Sequence, residues 1–533
     1  MPIAPRVFKK YRILMPLLGF LCLVPATPAA DWPTFGHDPQ RTGWAMDETT
    51  LTPRNVSNLE LKWKAALKNE PLSLTALTAP VVAEQINTAQ GNKTVVYVAG
   101  SSNHLFGVDA ATGSIIWSRD FETHVLPKDQ TMWLCPNNVN ATPVIDRHTG
   151  TLYAIAADGK LWGFDLGSGD VKFGPVQFVP AFSKDWSLNL HGSTIYTAIS
   201  QGCGGAQSGI YAMDVRDPRR PVIRDLLLAP RGAGIWGRGG PVIGMNERIY
   251  AETGDGPFDP AAGNYGSTFV AAALPDLQVL DYYTPENFQH VTQYDLDIGA
   301  ASPVWFASGN HNLVAGGGKE GVLYLLDADA LGAKDHHTPL YTVKLANDPE
   351  EFQAKGIWGA PAIWRDEAGA TWLYVPIYGP VSSHAPTTFA LNGPTPHGCI
   401  LAFKVALDAS SKEPALQPVW ISRDFDVPDP PVLANGVLFA LSTGENPLQV
   451  SGERAKVIYS GQKLLTDQER AANTHNAELY ALDAKTGKLL YRSGEAMATW
   501  VHFSGLAVAG GQVYAVDHDS NLYCFGLKEA AKP

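Results

Sequence analysis

One short pattern occurs near both ends of this 533-residue chain and strongly limits how it can fold. HLFGVDAATGSIIW (104–117) is closely matched by KLWGFDLGSGDVKF (160–173) and ELYALDAKTGKLLY (478–491). Each copy has an alternating apolar stretch, then Asp, a polar turn closing on Gly, and a stretch ending in an aromatic residue. This pattern predicts a β-hairpin. The Asp accepts hydrogen bonds from turn N–H groups, and the Gly takes a positive φ that a Cβ would penalise.

The hairpin is part of a longer unit that recurs along the chain. Two further strands precede it, as in APVV followed by VVYVAG, so a full unit has four strands. Eight such units follow one another, although the third, fourth and sixth are irregular. The eighth, FSGLAVAGGQVYAVDHDSNLYCFGL, ends at its third strand. The missing strand is available near the N-terminus as LELKWKAAL, residues 59–67.

These units predict how the whole chain is arranged. A single four-stranded sheet leaves its faces and edges uncovered, so repeated sheets are expected to stack around an axis. We therefore predict an all-β fold: an eight-bladed β-propeller of four-stranded antiparallel blades, closed by an N-terminal strand that completes the last blade. Unrelated strands in β-sandwiches are the alternative, and the close match of the three copies argues against it.

The N-terminus predicts export. Four basic residues precede the apolar run ILMPLLGFLCLV and the small residues of PATPAA, which is typical of a secretory signal cleaved near Ala29 or Ala30. We predict a signal peptide at residues 1–30 and one propeller domain at residues 31–533. No other stretch has the roughly 20 apolar residues of a membrane helix. A soluble periplasmic or secreted protein with no membrane span is expected.

The charge and the cysteines support the same prediction. Without the basic residues of the signal, 36 basic residues face 52 acidic ones, a formal charge of −16 that disfavours nucleic acid as a partner. Four cysteines remain, and three pairings are possible in an oxidising compartment. We favour Cys135 with Cys203, because both lie in polar loops containing Gly or Pro, whereas Cys524 has the setting of a buried strand residue.

The pattern LFGVDAATGSIIW resembles the repeat of quinoprotein dehydrogenases, eight-bladed propellers that bind pyrroloquinoline quinone (PQQ). The opening DWPTFGHDPQRTGW is also similar to this family, and the resemblance covers nearly all of the chain after the signal. It implies PQQ and a calcium or lanthanide ion as cofactors. The same repeat also occurs in propellers without a cofactor, such as an outer-membrane assembly lipoprotein.

The resemblance also nominates site residues. GAGIWGRGGPVIGMNERIYAETGDGPFDP is similar to the family stretch with a stacking Trp and a metal loop, which implies that Trp236 binds the cofactor and Asp255 the metal. YYTPENFQHVTQYDLDIGAASPV resembles the stretch with the catalytic base, which implies Asp295 as base and Asp297 as a metal ligand on the same side of a strand. GGGKEGVLYLLD implies that Lys319 contacts the quinone.

Some family features are absent from the sequence. There is no adjacent Cys-Cys pair and no CxxCH haem motif, so the electron acceptor must be a separate molecule such as a cytochrome c. Near ISQGCGGAQSG, where the family has a glutamate ligand, no carboxylate occurs; Gln201 or Gln207 could offer only a neutral oxygen, and Glu252 is an untested substitute. Trp358 is interpreted as a structural aromatic.

Two functions are consistent with these residues. The first is an exported PQQ-dependent dehydrogenase that oxidises an alcohol or polyol, with Asp295 as the base. The second is a cofactor-free propeller that binds a protein or polymer through its loops. His502 and His290 could line the axis in either case, although a lone His is more often only hydrogen-bonded. An axial pocket with converging carboxylates favours the enzyme, and a channel plugged by apolar side chains favours the scaffold.

Overall fold

The computed structural model describes residues 1–2, 31–72, 74–122, 134–136, 138–200, 202–451 and 463–529. Most of the predicted signal peptide, its cleavage point and Gln201 lie outside the described residues. Within them, the chain forms eight main sheets of four or five strands, each built from consecutive hairpins. The prediction of an eight-bladed all-β propeller with four-stranded antiparallel blades is therefore confirmed.

The blades follow one another along the chain, except that an N-terminal strand joins each of blades 7 and 8. The strands of blades 1 to 4 are Val81–Thr88, Gly91–Gly100, His104–Asp109 and Ile115–Asp120; Val144–Asp146, Thr151–Ile155, Lys160–Asp165 and Val171–Gln177; Lys184–Asp185, Asn189–His191, Thr194–Ser200, Gly209–Asp214 and Val222–Leu227; and Val242–Ile243, Arg248–Glu252, Phe269–Ala273 and Val279–Tyr283. Those of blades 5 to 8 are Val304–Ser308, His311–Gly317, Val322–Asp327 and Tyr341–Lys344; Ala362–Arg365, Thr371–Tyr378, Ala390–Leu391, Gly398–Leu407 and Pro414–Ile421; Trp44–Ala45, Val432–Ala434, Val437–Ser442, Glu478–Asp483 and Leu489–Arg492; and Leu59–Ala66, Ala507–Ala509, Gln512–Val516 and Asn521–Leu527.

Other elements are short and lie in loops. They are the α-helices Phe288–Gln293 and Asp467–Ala471, the 3₁₀ turns Val56–Asn58, Cys203–Gly205, Pro260–Ala262, Ile298–Ala300 and Gly494–Ala496, and the two-stranded ribbons Phe258–Asp259 with Asn264–Tyr265 and Val450–Ser451 with Lys463–Leu464. No helix in the described part of the chain has the length and apolar character needed to cross a bilayer.

The ring closes where the sequence predicted. The N-terminal strand Leu59–Ala66 pairs antiparallel with Asn521–Leu527 and completes blade 8. From this strand, the indole of Trp63 donates to the carbonyl of Ala110 in blade 1, at 2.8 Å. The two ends of the chain therefore meet within one blade, and that blade is fastened to the first.

The apolar core lies between the blades rather than at one centre. One buried cluster joins Leu105 and Trp117 of blade 1 to Leu152 and Phe164 of blade 2, and equivalent clusters join later neighbours. A larger cluster joins blades 7, 8 and 1 across the closure. Each blade thus buries both faces against its neighbours, which leaves the loops near the axis available for polar side chains.

The repeated hairpin links neighbouring blades through its turn. In blade 2, Asp165 accepts the backbone N–H groups of Gly167 and Ser168 at 3.0 Å, and Gly169 adopts a φ of +69°. The terminal aromatic of blade 1, Trp117, donates to the carbonyl of Leu166 at 3.0 Å and packs against this turn. The turn chemistry predicted for the motif is therefore confirmed.

The same link recurs elsewhere in the ring. Trp420 of blade 6 donates to the Ala484 carbonyl beside Gly487 in blade 7, at 3.0 Å, as Trp63 does beside Gly113 in blade 1. The motif thus specifies a contact between blades as well as a hairpin, which accounts for its appearance at both ends of the chain.

Candidate functional site on the propeller axis

A cavity of about 430 Å³ lies where loops from all eight blades meet. Leu74 reaches it from the segment before blade 1, Trp186 from blade 3, Tyr378 from blade 6 and Phe503 from the segment before blade 8. Only the ring axis is accessible to every blade, so this is the axial cavity. Charged side chains line it together with aromatic ones, so it is not a channel plugged with hydrocarbon.

All five residues that the sequence nominated line this cavity: Trp236, Asp255, Asp295, Asp297 and Lys319. They come from the segment that enters blade 4, the loop after its second strand, the connection from blade 4 to blade 5, and the hairpin after the second strand of blade 5. The structure thus brings together side chains that are more than eighty positions apart in the sequence.

The backbone around these side chains is tightly interlocked. The backbone N–H of Lys319 donates to the carbonyl of Asp297 at 2.9 Å, and the N–H of Gly254 donates to the carbonyl of Gly234 at 2.8 Å. A Cβ on Gly318 would lie 1.7 Å from the Asp297 carbonyl oxygen. Glycine is therefore required at this position for Lys319 to reach the cavity.

The expectation that Asp295 and Asp297 lie on a strand is wrong. They lie in a turn between the helix Phe288–Gln293 and the 3₁₀ turn Ile298–Ala300, and Asp295 has a φ of +52°. Both carboxylates still face the cavity, because this left-handed residue turns the chain between them. Strand alternation predicted that both side chains face the same way, and they do, but a turn rather than a strand places them there.

Lys319 is the centre of the polar contacts. Its ammonium lies 2.9 Å from Asp295 Oδ1 and 2.8 Å from Asp297 Oδ2, and its side chain is only 5% exposed. It also lies over the rings of Trp236 and Trp358, 5.2 and 5.6 Å from their centroids. Lys319 is therefore a buried residue of the cavity and not a solvated loop residue.

Three carboxylates form one compact group. Ligand oxygens of Asp255, Asp295 and Asp297 all lie within 4.8 Å of one another. The side chain of Asp297 is held from two sides, since its Oδ1 accepts the backbone N–H of Asp255 at 2.6 Å and its Oδ2 accepts the indole N–H of Trp236 at 3.2 Å. This arrangement fixes the direction of its carboxylate before any ligand binds.

Burial and mutual repulsion separate the proton affinities of the three acids. Burial raises the pKa of Asp295 well above its ordinary value, despite the nearby ammonium of Lys319. Burial and the charge of Asp297 raise the pKa of Asp255 to about 7. For Asp297, burial is outweighed by Lys319 and by its hydrogen bonds, and its pKa is lowered. A pair of carboxyl groups with divergent pKa values is typical of acid–base sites.

Aromatic side chains form a continuous wall beside the acids. The rings of Trp236 and Trp358 meet edge to face at 5.3 Å, and Tyr378 stacks on Trp358 at 5.7 Å with an interplanar angle of 6°. Phe503 continues the stack on Tyr378 at 6.0 Å. Trp358 is thus part of the cavity wall and also packs in a buried aromatic cluster, so its interpretation as a structural aromatic stays a prediction.

The donor set fits a hard cation. Calcium and similar ions take carboxylate oxygens as ligands, and three of these are gathered here with one ammonium to balance them. When all three acids are ionised, one ammonium does not balance them, and burial together with the charge of Asp297 raises the pKa of Asp255. Asp255 and Asp297 would hold the ion, while the flat aromatic wall beside them suits a planar cofactor.

Other candidate ligands lie elsewhere. Gln207 donates its side-chain amide to the carbonyl of Ala229 at 2.8 Å and does not line the cavity. Glu252 is fully buried between blades 4 and 5, at the place that a Cβ of Gly316 would occupy. Glu252 is therefore not the substitute metal ligand that the sequence allowed.

Some of the histidines and cysteines considered in the sequence analysis line the cavity, and others lie elsewhere. His290 pairs with the exposed Glu350 at 2.8 Å, away from the cavity, whereas His502 lines it. The favoured disulfide between Cys135 and Cys203 is present, with an S–S distance of 2.00 Å, and Cys135 lines the cavity. Cys524 is buried and free, as predicted.

Several cavity residues had no signal in the sequence. Glu445 and Arg470 form a buried ion pair at 3.0 Å, and both Glu445 oxygens lie 2.8 Å from His502 Nδ1. Lys184 and Arg238 line another part of the wall. Charged residues of this kind look like ordinary surface residues in a sequence, because only the closed ring shows that they are buried.

Comparisons with known proteins agree with this architecture. A family model described as outer membrane protein assembly factor BamB matches residues 37–220. No curated protein matches the chain. Among solved structures, the europium-containing methanol dehydrogenase superposes with a TM-score of 0.60 at 13% identity, covering 93% of this chain and 98% of that one.

A second solved structure gives a similar result. The quinohemoprotein alcohol dehydrogenase from Comamonas testosteroni superposes with a TM-score of 0.57 at 14% identity, covering 95% of this chain and 82% of that one. At such identities the likeness concerns the fold. The resemblance predicted from the repeats is confirmed at that level: the chain shares the eight-bladed propeller fold of these two dehydrogenases.

Proposed function

We propose that this protein is a dehydrogenase that oxidises an alcohol or polyol with PQQ and a calcium or lanthanide ion in the axial cavity. One observation carries the proposal: Asp255, Asp295, Asp297, Lys319 and Trp236 converge on a single cavity. The resemblance implies Asp295 as the base, Asp255 and Asp297 as metal ligands, and Trp236 and Lys319 as cofactor contacts. A propeller whose axial cavity bound nothing would not need three carboxylates there.

When bound, the quinone supplies the hydride acceptor and the metal ion polarises its carbonyl. The chain supplies the proton acceptor. Oxidation of an alcohol removes a hydride from carbon and a proton from oxygen, and Asp295 is placed to take that proton. The ammonium of Lys319 donates to Asp295 Oδ1 at 2.9 Å and holds this carboxylate in place.

The remaining residues bind and orient. Asp255 and Asp297 hold the ion, and Trp236 and Trp358 offer the apolar wall against which a flat ring packs. Lys319 balances the acids and is a donor for an oxygen on which negative charge develops. The aromatic wall also excludes water, which strengthens each of these interactions.

Export and a separate electron acceptor belong to the same proposal. The Cys135–Cys203 disulfide is expected in an oxidising compartment such as the periplasm. A haem-attachment motif is absent from the sequence, so the reduced cofactor must pass its electrons to another protein, such as a cytochrome c. An acidic surface favours a cationic acceptor.

Turnover tests the proposal. The purified protein, loaded with PQQ and calcium or lanthanum, should reduce an artificial dye in the presence of one or more alcohols of a panel. Asp295→Asn should lower kcat by about 10²–10⁴ while quinone binding persists, because only the proton acceptor is lost. Asp217→Asn, on the surface of blade 3, is the matched control. Full activity in Asp295→Asn would show that another group is the base.

A scaffold function is the second candidate. It is favoured by the match of residues 37–220 to the family model described as an assembly factor. In that case the loops around the cavity would bind a protein or polymer, and the charged cluster would serve stability. Absence of quinone binding, together with capture of a defined partner by the exported chain, would favour this candidate over the dehydrogenase.

A further inference from the structure

Two basic side chains of the axial cavity, Lys184 and Arg238, have no carboxylate partner among the described residues, although the ammonium of Lys184 donates to the carbonyl of Leu134 at 3.0 Å. The ammonium of Lys184 and the guanidinium of Arg238 both lie over the indole of Trp186, 5.3 and 5.6 Å from its ring centroids. Arg238 is only 7% exposed. In the described part of the chain, neither cation lies within ion-pair distance of a carboxylate, and the Nε of Arg238 has no hydrogen-bond partner.

Nearby charges do not cancel this pair. Glu445 is already engaged by Arg470 at 3.0 Å and by His502 at 2.8 Å. Asp429 accepts the backbone N–H of Gly505 at 2.8 Å, and burial raises its pKa to about 7, so it is only partly ionised at neutral pH. A buried guanidinium without a counter-charge is costly, and the ring face below it offsets only part of that cost.

We propose that Lys184 and Arg238 form a carboxylate subsite on the face of Trp186. The indole is fixed by its hydrogen bond to Ser200 Oγ at 2.9 Å, so the floor of the subsite is rigid. A planar guanidinium pairs with a carboxylate through two parallel hydrogen bonds, and the adjacent ammonium adds a third donor. Burial, and then the charge of Arg238, lower the pKa of Lys184 to about 7, so an anion beside the two groups would favour their charged forms.

The carboxylate can belong to either of two ligands that share the cavity. PQQ itself carries carboxylates, and an alcohol substrate could carry one as a hydroxy acid. The subsite lies in the cavity of the proposed dehydrogenase, yet it does not rest on that function, since binding a carboxylate requires no metal ion and no redox chemistry. The two proposals can therefore fail separately.

Calorimetric titration of the mature, cofactor-free chain tests the subsite. One probe is 4-(hydroxymethyl)benzoate, with 4-(hydroxymethyl)benzamide as its neutral match; the other is PQQ with calcium. We expect the wild type to bind at least one carboxylate probe. Arg238→Gln should weaken that binding about 10- to 100-fold, the effect of losing a charge-assisted hydrogen bond to a buried anion.

The variants and controls make each outcome decisive. Lys184→Gln repeats the test if Arg238→Gln does not fold, and Arg216→Gln removes the same charge from a side chain that is 80% exposed.

Weakened binding of the benzoate but not the benzamide assigns the subsite to a substrate, and weakened PQQ binding alone assigns it to the cofactor. Benzoate binding without PQQ binding would support the subsite and contradict the dehydrogenase. Unchanged binding in both variants, or no carboxylate binding by the wild type, would overturn the proposal.

Discussion

The ammonium of Lys319 balances two buried acids, Asp295 and Asp297, at 2.9 and 2.8 Å. Lys319→Met should lower the free energy of unfolding by about 3–5 kcal/mol, because it leaves buried carboxylates without their partner. Calcium or lanthanum should then raise the thermal midpoint of the variant more than that of the wild type, since the ion replaces the lost charge. Thermal unfolding with and without the ion measures both effects.

Lys485→Met is the control for this substitution. Its ammonium pairs with Glu367 at 2.7 Å, but both side chains are largely exposed, so the loss should be at most about 1 kcal/mol. If Lys319→Met unfolds at the wild-type temperature, or if the ion stabilises both proteins equally, the ammonium is not what holds the acids together.

Glu252 gives a second test, one that depends on pH. Burial raises its pKa well above the ordinary value of 4.5, so the unfolded chain ionises first as the pH rises. Wild-type stability should therefore fall above pH 4.5, by up to about 1.4 kcal/mol per pH unit, until the pH reaches the folded-state pKa. Glu252→Gln removes this dependence and should be more stable than the wild type at pH 8, with little difference at pH 5.

Urea unfolding at pH 5, 6.5 and 8 measures the difference. Glu413→Gln, at an exposed position of blade 6, controls for the loss of a negative charge. Parallel stability profiles for wild type and Glu252→Gln would show that the buried carboxyl ionises as easily as an exposed one.

These residues also show how far the sequence could be interpreted. Resemblance to family stretches nominated Asp295 and Lys319, because those stretches keep their order along the chain. It could not nominate Arg238 or Glu445, which enter the cavity only because loops of distant blades converge. Glu252 was a plausible ligand in the sequence, and only the packing of two blades shows that it points elsewhere.

At the scale of elements, the turn of the repeated hairpin is where we expect substitution to be tolerated least. Gly169 has a φ of +69°, and a Cβ at this position would lie 2.6 Å from the ring of Trp117 in the preceding blade. Gly169→Ala should therefore cost both backbone strain and overpacking. Gly192 has a similar φ of +58° but nothing within 4 Å, so Gly192→Ala should cost the strain alone.

The difference between these two variants isolates the contact between blades. We expect Gly169→Ala to be less stable than Gly192→Ala by about 1–3 kcal/mol in denaturant unfolding. Equal losses would mean that Trp117 moves aside without cost, and that the motif stabilises only its own hairpin.

The hairpins were predictable because period-two alternation and Asp–Gly turns are local signals. The connection that carries Asp295 and Asp297 was not, since the short helix Phe288–Gln293 and the left-handed φ of Asp295 interrupt the alternation there. Local pattern thus determined the blades, while the loops that form the site depended on contacts between blades.

At the scale of the whole molecule, closure of the ring determines which loops meet at the axis. The strand Leu59–Ala66 was assigned to blade 8 from the sequence because the last unit lacked a strand and the first residues supplied one. Closing the ring brings loops of all eight blades to one axis, and the cavity with its three carboxylates follows from that convergence.

The central claim is that this cavity is a binding site for a planar quinone and a metal ion. Calorimetric titration of PQQ into the cofactor-free protein, with lanthanum present and then with the ion removed by a chelator, tests it most directly. The account predicts saturable one-to-one binding that depends on the ion and is lost in Asp297→Ala, a residue whose carboxylate faces the cavity. Absence of binding in both conditions, or equal binding by Asp297→Ala, would contradict it.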